Sequence, residues 1–127
     1  MKPKILIISG NIKNCIKIND YFISYAKYID YETDISKLEE EDYEKYDIII
    51  YDLDFIMEEI QLKKQTNSLQ PIIICITEEN DDDYINKLMN SGVDIIIPYI
   101  LNDISVKHMM SIYNLIEKNK YNEAIMC

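Results

Sequence analysis

The 127 residues suffice for one domain with a buried core, and 48% hydrophobic against 28% charged residues place the chain among globular proteins. Its 23 acidic residues face 13 lysines and no arginine. The resulting net charge of −10 repels a phosphate backbone, so direct nucleic-acid binding is disfavoured. No run approaches the ~20 apolar residues of a membrane span, because every isoleucine tract is soon broken.

The first apolar run, Lys4–Ser9, follows Met1-Lys2-Pro3 directly, so no signal peptide is expected. After Ser9-Gly10-Asn11, the spacing of Ile12, Ile16, Asn19, Phe22, Ile23 and Ala26 predicts a helix with one mostly apolar face. Tyr28–Ile35 mixes β-formers with acids and reads as an edge strand. Ser36–Glu44 predicts a short, highly charged second helix. The run Asp47–Asp52 is a strand ending in a carboxylate, and Ile56, Ile60 and Leu62-Lys63 suggest a third helix entered near Asp54. Ile72–Thr77 is a further strand. Tyr84, Ile85, Leu88 and Met89 mark a fourth helix, begun at Asp81-Asp82-Asp83 and stopped by Ser91-Gly92. Asp94–Pro98 is the last strand. Ile104, His108, Met109, Ile112, Leu115 and Ile116 mark a fifth helix capped by Asn102 or Asp103. Residues 118–127 are expected to fray or to begin a linker.

Runs of isoleucine that hardly alternate are what strands covered on both faces look like. With helical patterns between them, they predict an α/β domain built on a five-stranded parallel sheet, doubly wound, with right-handed crossovers. Ligands and chemistry in such sheets gather at the carboxyl ends of the strands. Those ends carry Ser9-Gly10-Asn11, Asp52-Leu53-Asp54, Thr77-Glu78-Glu79 and Pro98-Tyr99.

Four stretches carry a resemblance: Lys4-Ile5-Leu6-Ile7-Ile8, Tyr46 to Asp52, Pro71 to Thr77, and Ser91-Gly92-Val93-Asp94. Over residues 4–118 the chain resembles the receiver domains of two-component response regulators. The resemblance implies the flavodoxin-like strand order 2-1-3-4-5 and a cytoplasmic signalling role. It places Asp52 at the phosphoacceptor position and Thr77 at the hydroxyl that contacts the phosphoryl group. Ser9 and Gly10 stand where the family has the acidic pair that holds Mg²⁺. Tyr99 stands at the position of the family's lysine, and Ile96 at its aromatic switch residue.

Phosphoryl transfer needs charge neutralised on the equatorial oxygens, mainly by Mg²⁺ and a cation. Ser9 offers a neutral oxygen and Gly10 no side chain, so no metal ligands, catalytic residues, enzymatic activity or cofactor are expected. The leading expectation is a degenerate pseudo-receiver that acts through protein partners: a histidine kinase, an output domain or another regulator. A homodimer through the fourth helix, fifth strand and fifth helix is a further expectation. An output domain would act in trans or belong to a longer regulator. One alternative is an active receiver, with Asp52 phosphorylated and Asp54 helping to bind Mg²⁺. Another is a flavodoxin-like small-ligand binder that cradles an anion in the Ser9–Asn11 loop.

Each residue also has an ordinary reading. Asp52 and Asp54 can cap the following turn or helix, and Thr77 suits a strand end. Tyr99 fills the lysine's space, where its hydroxyl could reach Asp52. Glu78 to Asp83 lack the glycine and terminal glutamate of a calcium loop and read as a solvated helix start. His108 reads as a helix-surface or packing residue. Cys15 and Cys75 read as buried small hydrophobes and Cys127 as an exposed thiol, consistent with a reducing compartment.

Overall fold

The computed structural model describes residues 2–56, 71–97 and 102–126, with side chains to residue 115. Five strands, β1 (Lys4–Ile8), β2 (Tyr28–Glu32), β3 (Ile48–Asp52), β4 (Ile72–Ile76) and β5 (Ile95–Ile97), pair in parallel in the order β2-β1-β3-β4-β5. The helices are α1 (Ile12–Phe22), α2 (Glu40–Tyr43), α3 (Asp82–Asn90) and α4 (Asp103–Met126). Single 3₁₀ turns follow α1 at Ile23–Tyr25, precede α2 at Ile35–Lys37, and leave β3 at Leu53–Phe55. The third predicted helix lies mostly within 57–70, outside the described residues, as do Pro98 and Tyr99.

The period of two along a strand sorts the isoleucines onto two faces. Ile5, Ile7, Ile48, Ile50, Ile72, Ile74, Ile76 and Ile97 meet Cys15, Ile18 and Phe22 of α1 and Val106, Met109, Met110 and Tyr113 of α4. Leu6, Ile8, Ile49, Tyr51, Ile73 and Cys75 meet Leu88 of α3 and Val93, with Tyr43 of α2 packed alongside. Every residue of β3 and β4 is therefore buried. That double burial explains why these runs do not alternate. The edge strand β2 behaves differently. Tyr28, Asp30 and Tyr31 are exposed, and the Tyr46 hydroxyl donates to Asp30 at 2.7 Å.

A repeated device fixes where β3 and β5 start. Each is an Asp-Ile-Ile-Ile sequence, at Asp47–Ile50 and Asp94–Ile97. The Asp47 carboxylate accepts from the Lys4 amide at 2.9 Å, while the Asp47 amide donates to the Lys4 carbonyl at 2.8 Å. Asp94 does the same with Ile73, at 2.9 Å in both directions. Both aspartates thereby tie the residue just before a strand to the neighbouring strand, at the end of the sheet opposite Asp52.

Three helix faces differ in part from the sequence expectation; in α3 Leu88 is buried but Met89 is 48% exposed. In α1 the buried side chains are Cys15, Ile18 and Phe22, whereas Ile12, Ile16 and Ile23 are 47–49% exposed. In α4 they are Val106, Met109, Met110 and Tyr113, while Ile104 is 82% and Leu115 61% exposed. In α1 and α4 the apolar stripe is wide enough to fit two rotations: Phe22, Ala26 and Met109 are buried as expected, while packing seats Cys15, Ile18 and Tyr113 in place of the exposed isoleucines and Leu115. The second helix is also shorter than expected, a four-residue α2 whose capping box joins Glu39 and Asp42. Residues 118–126 continue α4. Other expectations hold. The Asp81 carboxylate caps α3 at the Tyr84 amide, and Gly92 takes the positive φ of 102° that ends it. Asn102 caps α4 by accepting from the Ser105 amide at 2.8 Å. His108 is exposed, and Cys15 and Cys75 are buried.

Ile50→Ala, in the fully buried centre of the sheet, is expected to cost about 2–5 kcal/mol in denaturant unfolding. Ile16→Ala on exposed α1 surface should stay within about 0.5 kcal/mol; equal losses would contradict the rotation of α1. Alkaline pH provides another check. Burial pushes the Cys75 thiol up to about 12 and raises the Tyr51 hydroxyl. Above the ordinary thiol value near 9 the unfolded chain then holds fewer protons than the folded one, so stability falls as pH rises. Urea midpoints should drop progressively between about pH 9 and 11, and a flat profile would contradict this.

Candidate functional site

Asp52 is the last residue of the central strand, in register with Ile76, and it is fully buried. Strand parity turns it toward the α1 side, the face of Ile48 and Ile50. Ser9, one residue past β1 and also fully buried, donates its hydroxyl to Asp52 Oδ2 at 2.7 Å. Asn14, in the first turn of α1, donates its side-chain amide to the same oxygen at 3.1 Å. α1 is aimed at this point because Asn11 caps it, its side chain accepting from the amides of Lys13 and Asn14 at 3.0 and 3.4 Å. One helical turn thus delivers Asn14 to the carboxylate. Cys15 follows with its thiol 3.7 Å from the Ser9 carbonyl. Burial first, then the nearby Asp52 charge, raises that thiol above its ordinary value.

A second group forms beside the first. The Leu53–Phe55 turn carries Asp54 across to the end of β4, where its two oxygens accept the Thr77 hydroxyl and the Glu78 amide, each at 2.8 Å. The Thr77 hydroxyl in turn accepts from the Glu79 amide at 3.1 Å. Asp54 is therefore a tie between two strand ends, and the helix it was expected to cap lies outside the described residues. On the other flank, the Gly10 amide donates to the Phe55 carbonyl at 2.7 Å.

Of the residues singled out in the sequence, Ser9 and Asp52 meet directly, Asp54 and Thr77 meet directly, and Gly10 binds the loop that joins the two pairs. Tyr99 lies outside the described residues. Asn14 was missed, though its place three residues after a capping asparagine, behind the Ser9-Gly10 turn, was a usable signal. The anion-cradle expectation for Ser9–Asn11 meets a physical obstacle. The amides of Gly10, Asn11, Lys13 and Asn14 already donate to the Phe55 carbonyl, the Ser9 hydroxyl and the Asn11 side chain.

No protein-family model matches the sequence, and no curated protein matches it. Solved structures do. A CheY-like response regulator receiver domain protein from Methanospirillum hungatei superposes with a TM-score of 0.76 at 13% identity, over 94% of this chain and 99% of that one. The fold is that of receiver domains. A two-component response regulator from Clostridium difficile gives 0.69 at 22% identity, over 92% of this chain and 97% of the other. The fold is not confined to proteins so described. A Burkholderia pseudomallei protein described as pilus assembly-related gives 0.71 at 10% identity, over 89% and 90% of the two chains.

The receiver fold implies Mg²⁺ beside Asp52, and the residues present do not fit that ion. Mg²⁺ wants octahedral oxygen donors, with carboxylates and phosphate supplying the charge. Around Asp52 Oδ2 stand two hydrogen-bond donors, the Ser9 hydroxyl and the Asn14 amide, where a cation would need acceptors. Among the described residues no group of three or more His, Cys, Asp and Glu side chains is arranged to hold a metal. Two donors aimed at one carboxylate oxygen supply part of the stabilisation that a cation would.

Ser9→Ala removes the shorter of those donors from a fully buried carboxylate. It is expected to cost about 1–3 kcal/mol in chemical denaturation. In a double-mutant cycle with Asp52→Ala most of that cost should vanish, and additive losses would show that the contact carries no energy.

Proposed function

We propose that the chain is a receiver-like signalling module that works by binding protein partners and not by a phosphorylation cycle at Asp52. The observation that carries this reading is the buried Ser9–Asp52 hydrogen bond, which puts a donor where phosphoryl chemistry needs metal-binding oxygen. The engaged Thr77 hydroxyl adds support. A phosphoryl group on Asp52 would have to compete with the Asp54 carboxylate for that hydroxyl's proton. On this reading the rim holds one arrangement, and any change of state comes from a partner that binds one conformation better than another.

The partners in view are a histidine kinase, an output domain or another regulator, and the chain acts in the cytoplasm without catalysing a reaction of its own. Among the described residues no helix is long and apolar enough to cross a membrane. Homodimerisation through α3, β5 and α4 is a proposal at the same level. Met89 on α3 and Ile104 on α4 are exposed apolar side chains on those two helices.

Incubation with acetyl phosphate and Mg²⁺ is expected to leave the intact mass unchanged. Asp52→Asn should support the cellular output of the wild-type chain, while deletion of the chain abolishes it. A phosphorylated species that Asp52→Asn removes, together with loss of output in that variant, would establish the active-receiver alternative instead.

A further inference from the structure

Gly92 is the one described residue with positive φ, so the backbone of Gly10 is open to any amino acid. Space, not conformation, demands glycine there. A Cβ at residue 10 would lie 2.4 Å from the Phe55 carbonyl oxygen and 3.5 Å from its carbon. The obstacle is backbone, which cannot rotate away as the tip of a side chain can. It is also the same carbonyl that accepts the Gly10 amide at 2.7 Å.

The segment bearing that carbonyl is held at both ends. Phe55 is bound to the end of β1 through Gly10, and Asp54 to the end of β4 through Thr77 and Glu78. Between those ties the turn starts from Asp52, whose side chain is fully buried. Three adjacent strand ends are therefore stitched together by a single three-residue turn. The stitch exists only because residue 10 has no side chain.

We infer that Gly10 and the Leu53–Phe55 turn form a strap that closes the rim beside Asp52 to divalent cations. The space that a carboxylate at residue 10 would need is committed to the strap. Restoring an acid there cannot rebuild a cation site while the strap stays in place. The acid must first displace the Phe55 carbonyl, and through Asp54 that movement reaches Thr77 and Glu78. Exclusion of a cation and fixation of the rim thus have one structural cause. This deepens the reading that Asp52 works without metal and rests on it, but the strap itself is tested separately.

The test uses the full chain, labelled with ¹⁵N. In the wild type, hydrogen exchange at the Gly10 amide should be slowed about tenfold or more relative to an open peptide. Gly10→Ala should shift the amide resonances of Thr77 and Glu78, although neither is a sequence neighbour. Ser9→Asp/Gly10→Asp should bind Mg²⁺ saturably only if those two resonances have moved. Three results would overturn the strap: open-chain exchange at Gly10, unmoved Thr77 and Glu78 resonances in Gly10→Ala, or Mg²⁺ binding by Ser9→Asp/Gly10→Asp with those resonances at their wild-type positions. The exchange measurement needs no variant, so it decides the matter even where a substituted chain does not fold. Acetyl phosphate labelling of the wild type addresses the functional reading alone. Mg²⁺ binding by the wild-type chain would defeat the strap and that reading together.

Discussion

A carboxylate at the end of a central parallel strand cannot be left without compensation. Asp52 has strands on both sides and is fully buried, so something must replace the water it lost. In this chain the protein supplies that replacement at Oδ2, where a hydroxyl from the end of β1 and an amide from the first turn of α1 both donate. That choice propagates. Ser9 must be a donor, α1 must be capped at Asn11 for Asn14 to reach, and Gly10 must stay bare for the neighbouring turn to pack. The local chemistry and the path of the backbone are therefore one problem with one solution.

The sheet was legible because its energetics are simple. Burial on both faces demands apolar residues at every position, and Ile48–Ile50 and Ile72–Ile74 meet that demand without ambiguity. The edge strand was legible for the opposite reason, through its acids and tyrosines. Helix rotation was not legible. In α1 the stripes Ile12-Ile16-Ile23 and Cys15-Ile18-Phe22 are both apolar, and isoleucine is too common here to mark the inward face. Only the fit of Cys15 and Ile18 beneath the sheet distinguishes them. The same ambiguity misassigned Ile104 and Leu115 on α4.

The candidate site was legible as a set of positions but not as a set of bonds. Strand ends announce Ser9, Asp52 and Thr77, yet which pairs form depends on strand parity and on the loops between them. Parity turns Asp52 toward α1, whereas Thr77, two residues after Cys75, turns toward the α3 side. Asp54 then joins Thr77 across a turn whose course no composition reveals. The most restrictive element of all is a backbone carbonyl, at Phe55, and carbonyls leave no mark in a sequence. Its only trace is the glycine it requires.

On the proposed reading the strand-end carboxylate is held by donated protons in place of a cation, and crystals grown in saturating Mg²⁺ with beryllofluoride would test that claim most directly. The account predicts a Ser9 hydroxyl still within hydrogen-bond distance of an unmodified Asp52, with no ion beside it. An octahedral cation coordinated by residue 52, with the Ser9 side chain turned away, would contradict it.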